Sequence, residues 1–141
     1  MDSSITSEPI IILCSGLNGL GALRSAHKAG LKTIAVLTSK NDLSRFSRLA
    51  HDKYFVESDQ TASDLLTLLS RLYETHGKAS IIACSDRFAE LLSQVQTEIK
   101  NYHNVIAPSA ITVSVLNDKK KECRAVADRG VLIPHTYYEL D

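Results

Sequence analysis

The chain has few cysteines, and their arrangement excludes several classes of protein. Its three cysteines, Cys14, Cys84 and Cys123, are scattered, odd in number and form no C-x-x-C pair. That pattern argues against a disulfide framework or a zinc site. It predicts small buried residues in a reducing compartment, for which we expect the cytoplasm. The five histidines also lack the spacing of metal ligands, so the sequence offers no metal site.

Charge imbalance and long apolar runs are absent as well. The 16 basic and 16 acidic residues of the 141-residue chain cancel, which speaks against nucleic acid or a polycation as a partner. The longest apolar run, Ile10–Cys14, is far too short to span a bilayer, so no membrane association is expected. Residues 1–8 contain two acids and no basic residue, which argues against a signal peptide, and we expect them to be disordered.

The sequence does contain an alternation of short apolar runs and amphipathic segments, on a scale that fits one domain. Buried parallel strands are predicted at Ile10–Cys14, Thr33–Leu37, 53–56, 80–84 and 104–107. Helices are predicted from Leu20 to Gly30, from Thr61 to His76, after a cap at Ser85 or Asp86, around 110–115, and over 118–129. The clearest helix begins at a capping box of Thr61 and Asp64.

This alternation predicts the fold class. Strand–helix–strand units with buried strands indicate an α/β domain with a Rossmann-like, doubly wound and mainly parallel sheet that carries helices on both faces. The expected spatial order of the strands is third, second, first, fourth, fifth, so that the first and fourth strands flank the point where the order reverses. Ligands of such sheets bind outside the carboxyl ends of those two strands.

A glycine-rich segment, residues 15–21, follows the first strand and is predicted to be a loop leading into a helix N-terminus, where an anion or polar ligand binds favourably. Its spacing is G-x-x-G-x-G rather than the dinucleotide pattern, and no acid follows the second strand before Asp42, which disfavours NAD. A tight turn and close packing explain the glycines equally well. The candidate substrate-binding residues here are Ser15, Gly16, Asn18 and Gly19.

Two further segments are expected at the same edge of the sheet. Ser85 and Asp86 follow the fourth strand and are candidate substrate-binding residues, although Asp86 is equally well explained as a helix cap. Arg45 and Arg48 follow the second strand as a candidate anion-binding pair, with a solvated turn as the alternative.

A fourth candidate is the basic start of the last helix. Residues 119–121 are three lysines that follow Asp118, at the positive end of a helix dipole where cations are locally unfavourable. A ligand for at least one lysine would offset this cost, and a solvated basic face is the alternative.

The order and spacing of these segments resemble the N-terminal, pre-ATP-grasp domain of ATP-grasp enzymes. That family includes biotin carboxylase, carbamoyl-phosphate synthetase, D-alanine–D-alanine ligase and several amino-acid ligases. The resemblance covers residues 9–138 and rests on the segments 16–21, 44–48, 84–87, 116–119 and 130–134. The interval from Lys119 to Gly130 is similar to the one the family shows between its nucleotide-contacting lysine and the glycine before the next strand.

The resemblance implies a division of the chain and a function. It implies a Rossmann-like domain over 9–116 and, over 117–141, a linker helix with the start of an ATP-grasp region. The chain would be the substrate-binding domain of an ATP-dependent carboxylate–amine ligase, in which ATP activates a carboxylate as an acyl phosphate. It would be inactive alone, because the lobes that clasp ATP lie C-terminal to this domain.

The same resemblance implies roles for particular groups. Lys119 would contact an ATP phosphate, the crevice formed by residues 16–19 and 85–86 would help to shape a pocket for a small carboxylate or amino acid, and Arg45 or Arg48 would meet a substrate anion. ATP and Mg²⁺ would belong to the complete enzyme, with neither bound tightly by this chain and no catalytic residue in it. The expected partner is a C-terminal ATP-grasp domain, and a homodimer is left open.

Two other functions fit the sequence. One is a stand-alone Rossmann-like module that binds a small anionic ligand or nucleotide. The other is an interaction domain whose pocket is vestigial.

Overall fold

Strands and helices alternate along most of the part of the chain that the structure describes. The computed structural model describes residues 8–14, 16–38, 42–135 and 137. The strands are β1 Ile10–Cys14, β2 Thr33–Leu37, β3 Asp52–Phe55, β4 Ser80–Ala83 and β5 Asn104–Val105. The helices are α1 Gly16–Lys28, α2 Ala62–His76, α3 Asp86–Ile99, α4 Ala110–Leu116 and α5 Lys119–Ala127. A short 3-10 helix, Leu43–Phe46, lies between β2 and β3.

The strands form one parallel sheet in the order β3-β2-β1-β4-β5. β1 lies at the centre, with Ile12 paired to Ala35 of β2 on one side and to Ile82 of β4 on the other. The β3 and β5 pairings are parallel too. The predicted α/β fold class and strand order are therefore confirmed.

The two faces of the sheet carry separate apolar clusters, because successive side chains of a strand point to opposite faces. Ile11 and Leu13 pack with α2 and α3 in the larger cluster. Ile12 and Cys14 pack with α1 in the smaller one. Helices thus cover both faces, as predicted. Burying each large aliphatic side chain contributes about 1.5–3 kcal/mol, so the larger cluster supplies most of the driving force for folding.

The glycine-rich segment was predicted to be a loop, and this prediction is wrong: α1 begins at Gly16. Gly16 has a φ of +51°, which turns the chain sharply out of β1 and lets the helix start at once. Gly19 is buried on β1, where an added Cβ would lie 2.8 Å from the Cα of Cys14. The glycine at this position is therefore required for close packing of α1 against the sheet.

Local capping signals predicted the starts of α2, α3 and α5. Thr61 and Asp64 form a reciprocal capping box, and the hydrogen bond from the Thr61 backbone lowers the pKa of the Asp64 carboxyl. Ser85 rather than Asp86 caps α3. Asp118 caps α5 through the backbone amides of Lys120 and Lys121.

Helix and strand ends differ by a few residues from the predictions. β4 and β5 end earlier than predicted, at Ala83 and Val105, and α5 ends at Ala127 rather than at residue 129. The N-terminal segment 1–7 lies outside the described residues. None of the helices within the described ranges has the length and apolarity needed to cross a bilayer.

A buried histidine, His103, connects the residue before β4 with α2 through two hydrogen bonds. The His103 ring donates from Nε2 to the Leu69 carbonyl (2.9 Å) and accepts at Nδ1 from the Ala79 amide (3.2 Å), which requires the neutral ring. Burial lowers the pKa of His103 below its ordinary value of 6.5.

We expect this histidine to make stability depend on pH. Because the folded pKa is depressed, its contribution is fully present above pH 6.5 and is lost as the pH falls from 6.5 towards the folded value. One such group gives a slope of at most about 1.4 kcal/mol per pH unit. Urea unfolding at a series of pH values should show His103→Gln flattening this slope, whereas His27→Gln, at an exposed position of α1, should retain it. An equal slope in the His103 variant would contradict the assignment.

Two glycines of the same helix offer a matched test of packing. Gly19→Ala should destabilise the protein by about 2 kcal/mol, because the new methyl group would overlap β1. Gly21→Ala meets nothing within 4 Å and should stabilise α1 by about 0.5–1 kcal/mol through helix propensity. Urea midpoints of the two variants measure both effects, and equal shifts would show that the close contact at Gly19 is absent.

Candidate functional site

The carboxyl ends of β1 and β4 lie side by side, as the strand order requires. The Cys84 amide donates to the Leu13 carbonyl at 3.0 Å, and Cys84 packs against the apolar cluster that contains Cys14. Burial raises the pKa of the Cys14 thiol to about 12, and it also raises the pKa of Cys84. Both thiols are therefore protonated at neutral pH and are not activated as nucleophiles; Cys14 is buried and Cys84 is partly buried.

The first amide of α1 is bound by a carboxylate of the protein itself. Asp42 accepts from the Gly16 amide through Oδ2 (3.0 Å) and from the Ser44 amide through Oδ1 (2.8 Å). The Asp42 side chain is buried, and α1 has no acidic residue in its own first turn. Asp42 therefore supplies the negative charge that a helix N-terminus favours, at the place where a bound anion was expected.

Sequence reasoning missed this role of Asp42. The acid is 26 residues from Gly16 along the chain, so no local spacing connects them. The only local signal is the Asp42-Leu43-Ser44 segment, in which an aspartate caps the following 3-10 helix through the amide two residues on.

Of the residues after β4, some have structural hydrogen bonds and one has a side chain that is accessible to a ligand. The Ser85 hydroxyl accepts from the Phe88 amide at 3.3 Å and is therefore occupied as a cap. Asp86 is the first residue of α3, and its side chain is exposed. Arg87 donates to the Gln60 carbonyl at 2.9 Å and so ties α3 to the loop before α2.

The two candidate arginines lie on the connection between β2 and β3. Arg45 belongs to the 3-10 helix, where its guanidinium lies 5.5 Å from the centre of the Phe46 ring, and Arg48 follows in a turn. Both side chains are exposed. Because Asp42 begins this same segment and contacts Gly16, the arginines are attached to the connection that adjoins the start of α1.

Lys119 opens α5 and points into solvent. Its ammonium group pairs with Glu122 at 2.6 Å, and its side chain is 87% exposed. The hydrogen bond with Glu122 raises the pKa of Lys119, and the charge of Asp86 contributes to the same effect. The lysine is therefore cationic at neutral pH.

The structure thus brings together some of the predicted residues. Gly16 and Gly19 lie against the carboxyl end of β1, with Asn18 exposed on the first turn of α1. Ser15 falls outside the described residues. Other residues line the surface cavities. A cavity of about 360 Å³ lies between α4 and α5, one of about 300 Å³ lies between α3 and α4, and one of about 480 Å³ lies at the start of α2. Within the described ranges, no three histidine, cysteine or acidic side chains converge on a point where a cation could bind.

Comparison with known proteins finds similarity only at the level of structure. The chain matches no protein-family model and no curated protein. Among solved structures it is similar to N5-carboxyaminoimidazole synthetase from Staphylococcus aureus complexed with ADP, with a TM-score of 0.64 and 19% identity. That match covers 88% of this chain and 30% of the synthetase chain.

Two other solved structures give the same picture. L-amino acid ligase from Bacillus licheniformis matches 91% of this chain and 32% of its own, with a TM-score of 0.71 and 10% identity. The biotin carboxylase domain of 2-oxoglutarate carboxylase from Hydrogenobacter thermophilus, in complex with MgADP and bicarbonate, matches 88% and 28%, with a TM-score of 0.64 and 14% identity. The chain spans about 30% of the length of the solved structures it matches. It therefore has the fold of the N-terminal domain of ATP-grasp enzymes, as its sequence motifs predicted.

Proposed function

We propose that this chain is the N-terminal, substrate-binding domain of an ATP-grasp carboxylate–amine ligase. The observation that carries the proposal is the fold shared over 88–91% of the chain with a synthetase, a ligase and a carboxylase domain. The position of Lys119 supports it, because an exposed cation stands at the start of the helix that leads out of the domain. On this proposal the chain alone has no ligase turnover, and its partner is a C-terminal ATP-grasp domain.

The residues of this chain would bind and orient the substrate. The crevice at the carboxyl ends of β1 and β4 would hold a small carboxylate or amino acid, with Asp86 at one wall and Arg45 and Arg48 on the connection beside α1. Asp42 would hold that connection against the Gly16 amide and so act as a positioning residue. Such preorganisation lowers the entropic cost of binding the substrate in one orientation.

Lys119 fits the task of meeting a phosphate. Its ammonium group is solvent-exposed and cationic at neutral pH, and its acidic partner Glu122 is on the same helix, so a phosphate oxygen can compete for it without unfolding the turn. In the complete enzyme ATP would supply the phosphoryl group that activates the carboxylate. The described residues provide no cluster of acidic ligands for Mg²⁺, so the metal would be held by the remainder of the enzyme.

The geometry gives less support to a stand-alone module that binds an anion at the start of α1. Asp42 already accepts from the Gly16 amide, and a second anion there would meet a buried like charge. A free nucleotide or phosphate would therefore have to displace the protein's own carboxylate.

Lys119→Ala tests the proposal in the complete enzyme. The gene for that enzyme is identified by sequencing the source DNA beyond codon 141 into the region that would encode the ATP-grasp domain. We expect the KM for ATP to rise or kcat/KM to fall by about 10-fold or more, from the loss of one charge-assisted contact. In the 141-residue chain the same variant should leave the urea midpoint unchanged, because the lysine is exposed. Lys121→Ala is the matched control, because Lys121 also pairs with a nearby acid, Asp118 at the cap of α5, at 3.6 Å.

Equal ATP kinetics in the two lysine variants would remove Lys119 from the site. A stop codon directly after codon 141, with no separate ATP-grasp chain, would overturn the ligase assignment. ADP formation by the purified chain with a carboxylate and an amine would contradict the expectation that the chain alone has no ligase turnover.

Asp42→Ala tests the role assigned to the buried carboxylate. Leaving the Gly16 and Ser44 amides without an acceptor should cost about 2 kcal/mol. Because the variant exposes an anion position, sulfate should recover part of this loss, whereas the wild type should gain only the general salt effect. Urea unfolding with sulfate or chloride at equal ionic strength measures this, and Asp59→Ala, in the exposed loop before α2, is the control. No preferential recovery by sulfate would contradict the assignment.

A further inference from the structure

The loop between β3 and α2 borders an open cavity of about 480 Å³ that the proposed function does not use. Among the described residues, its lining contains one aliphatic side chain, three acids and no base: Val56, Glu57, Asp59, Gln60, Thr61 and Asp64. A cavity of this volume lies within the range of small-molecule sites. The charge of its lining favours a ligand that is positively charged.

Gln60 provides the observation that points to a ligand. Its side chain is only 7% exposed, and the residue lines the cavity. Its buried Oε1 accepts no hydrogen bond from any residue that the structure describes. Buried polar atoms are nearly always hydrogen-bonded, because an unpaired buried acceptor lowers the stability of the fold. An N–H donor that enters the cavity would remove this cost by pairing with Gln60.

Two carboxylates of the cavity are available to a cation. Within the described part of the chain, neither Glu57 nor Asp59 has an ion pair. Arg87 reaches the same loop, but its guanidinium is engaged elsewhere. It donates to the Gln60 backbone carbonyl at 2.9 Å and lies 3.6 Å from Glu90 of its own helix. The negative charge of Glu57 and Asp59 is therefore not neutralised by Arg87.

The start of α2 explains only part of this negative charge. Asp64 closes the capping box with Thr61 and so serves the helix N-terminus by itself. The positive end of a helix dipole amounts to roughly half an elementary charge, which is less than the charge of one carboxylate. Glu57 and Asp59 come before the Thr61 cap and take no part in the capping box. Their charge is surplus to what the helix requires.

The arrangement of the acceptors favours a planar organic cation over a metal ion. No three acidic side chains among the described residues converge on one point, whereas Ca²⁺ or Mg²⁺ needs its oxygen ligands around one centre. A guanidinium spreads five N–H donors over a planar fork, so it can pair with acceptors that lie apart. An alkyl stem attached to it would pack on Val56, because such stems bury themselves along apolar surface.

We propose that this cavity is a binding site for an alkylguanidinium. The cation pairs with the carboxylates of Glu57 and Asp59, one N–H is donated to Oε1 of Gln60, and the alkyl stem lies on Val56. These residues are distinct from those proposed to hold the carboxylate substrate and from Lys119. The inference therefore goes beyond the ligase proposal, and its test needs only the 141-residue chain.

Titration of the isotope-labelled chain with butylguanidinium chloride, followed by amide chemical shifts, tests the site. We expect saturable shifts centred on residues 56–64, with a Kd of about 1 mM that rises with added sodium chloride. Butylurea has nearly the same shape without the charge and should give no saturable shift. Butylammonium should bind about 3-fold or more weakly than butylguanidinium, because its three donors diverge from a single nitrogen.

Three variants separate binding from folding. Gln60→Leu should raise the Kd about 5-fold or more without lowering the urea midpoint, because it removes an acceptor that is unpaired in the free protein. Glu57→Gln should also raise the Kd, since a charge-assisted hydrogen bond is lost at an exposed position. Glu74→Gln removes the same charge from the exposed surface of α2, outside the cavity lining, and should leave the Kd unchanged.

The titration also distinguishes two sources of the guanidinium. N-acetyl-arginine amide represents an arginine residue within another polypeptide, whereas butylguanidinium represents a free small molecule. Tighter binding of the arginine derivative would assign the cavity to a partner's side chain. Tighter binding of butylguanidinium would assign it to a small molecule.

Four results would overturn the proposal. They are shifts that remain linear up to about 50 mM butylguanidinium, equal shifts with butylurea, equal affinity for butylammonium, and a Kd that is the same in Gln60→Leu and Glu57→Gln as in the wild type. Since ligase activity is not measured, none of these results bears on the ligase assignment. Conversely, loss of the ligase assignment would leave this site unaffected.

Discussion

The close approach of α1 to β1 is the constraint on which the rest of the candidate site depends. Only a glycine at position 19 lets the helix axis come near enough to the strand, since any side chain would overlap the backbone of Cys14. That approach places the first amide of α1 at the carboxyl end of β1, within reach of Asp42. The carboxylate then fixes the connection that carries Arg45 and Arg48. The absence of a Cβ at position 19 thus determines how β1, α1 and the connection between β2 and β3 pack together.

Local signals explain why most of the fold was predictable from the sequence. The apolar runs of β1 and β2 match the structure to the residue, and the capping box at Thr61 and Asp64 marks the start of α2 without ambiguity. These patterns act over a few residues, where side-chain periodicity and hydrogen-bond geometry decide the outcome. The strand order followed from the rules of parallel connection rather than from any single residue.

The site was less predictable, because its decisive contact is long-range. The hydrogen bond between Asp42 and Gly16 joins two residues that are distant in sequence. The glycine-rich segment has the composition of a loop but is helical, because packing against the sheet sets its conformation. The cavity of about 360 Å³ between α4 and α5 was also absent from the sequence predictions. Its residues are spaced as an ordinary amphipathic pair, and only the structure shows that the apolar side remains open.

One edge of the sheet, formed by β5, limits how copies of this protein can meet. β5 has only two residues, so that edge offers very few unpaired backbone groups to another strand. Exposed sheets usually aggregate by pairing with a further strand, and this edge is too short to pair with one over more than a few residues. Association at this end of the molecule is left to side chains on helices, whose shape and charge can be selected residue by residue. A protein with such an edge can expose apolar surface next to it without inviting the growth of a continuous sheet.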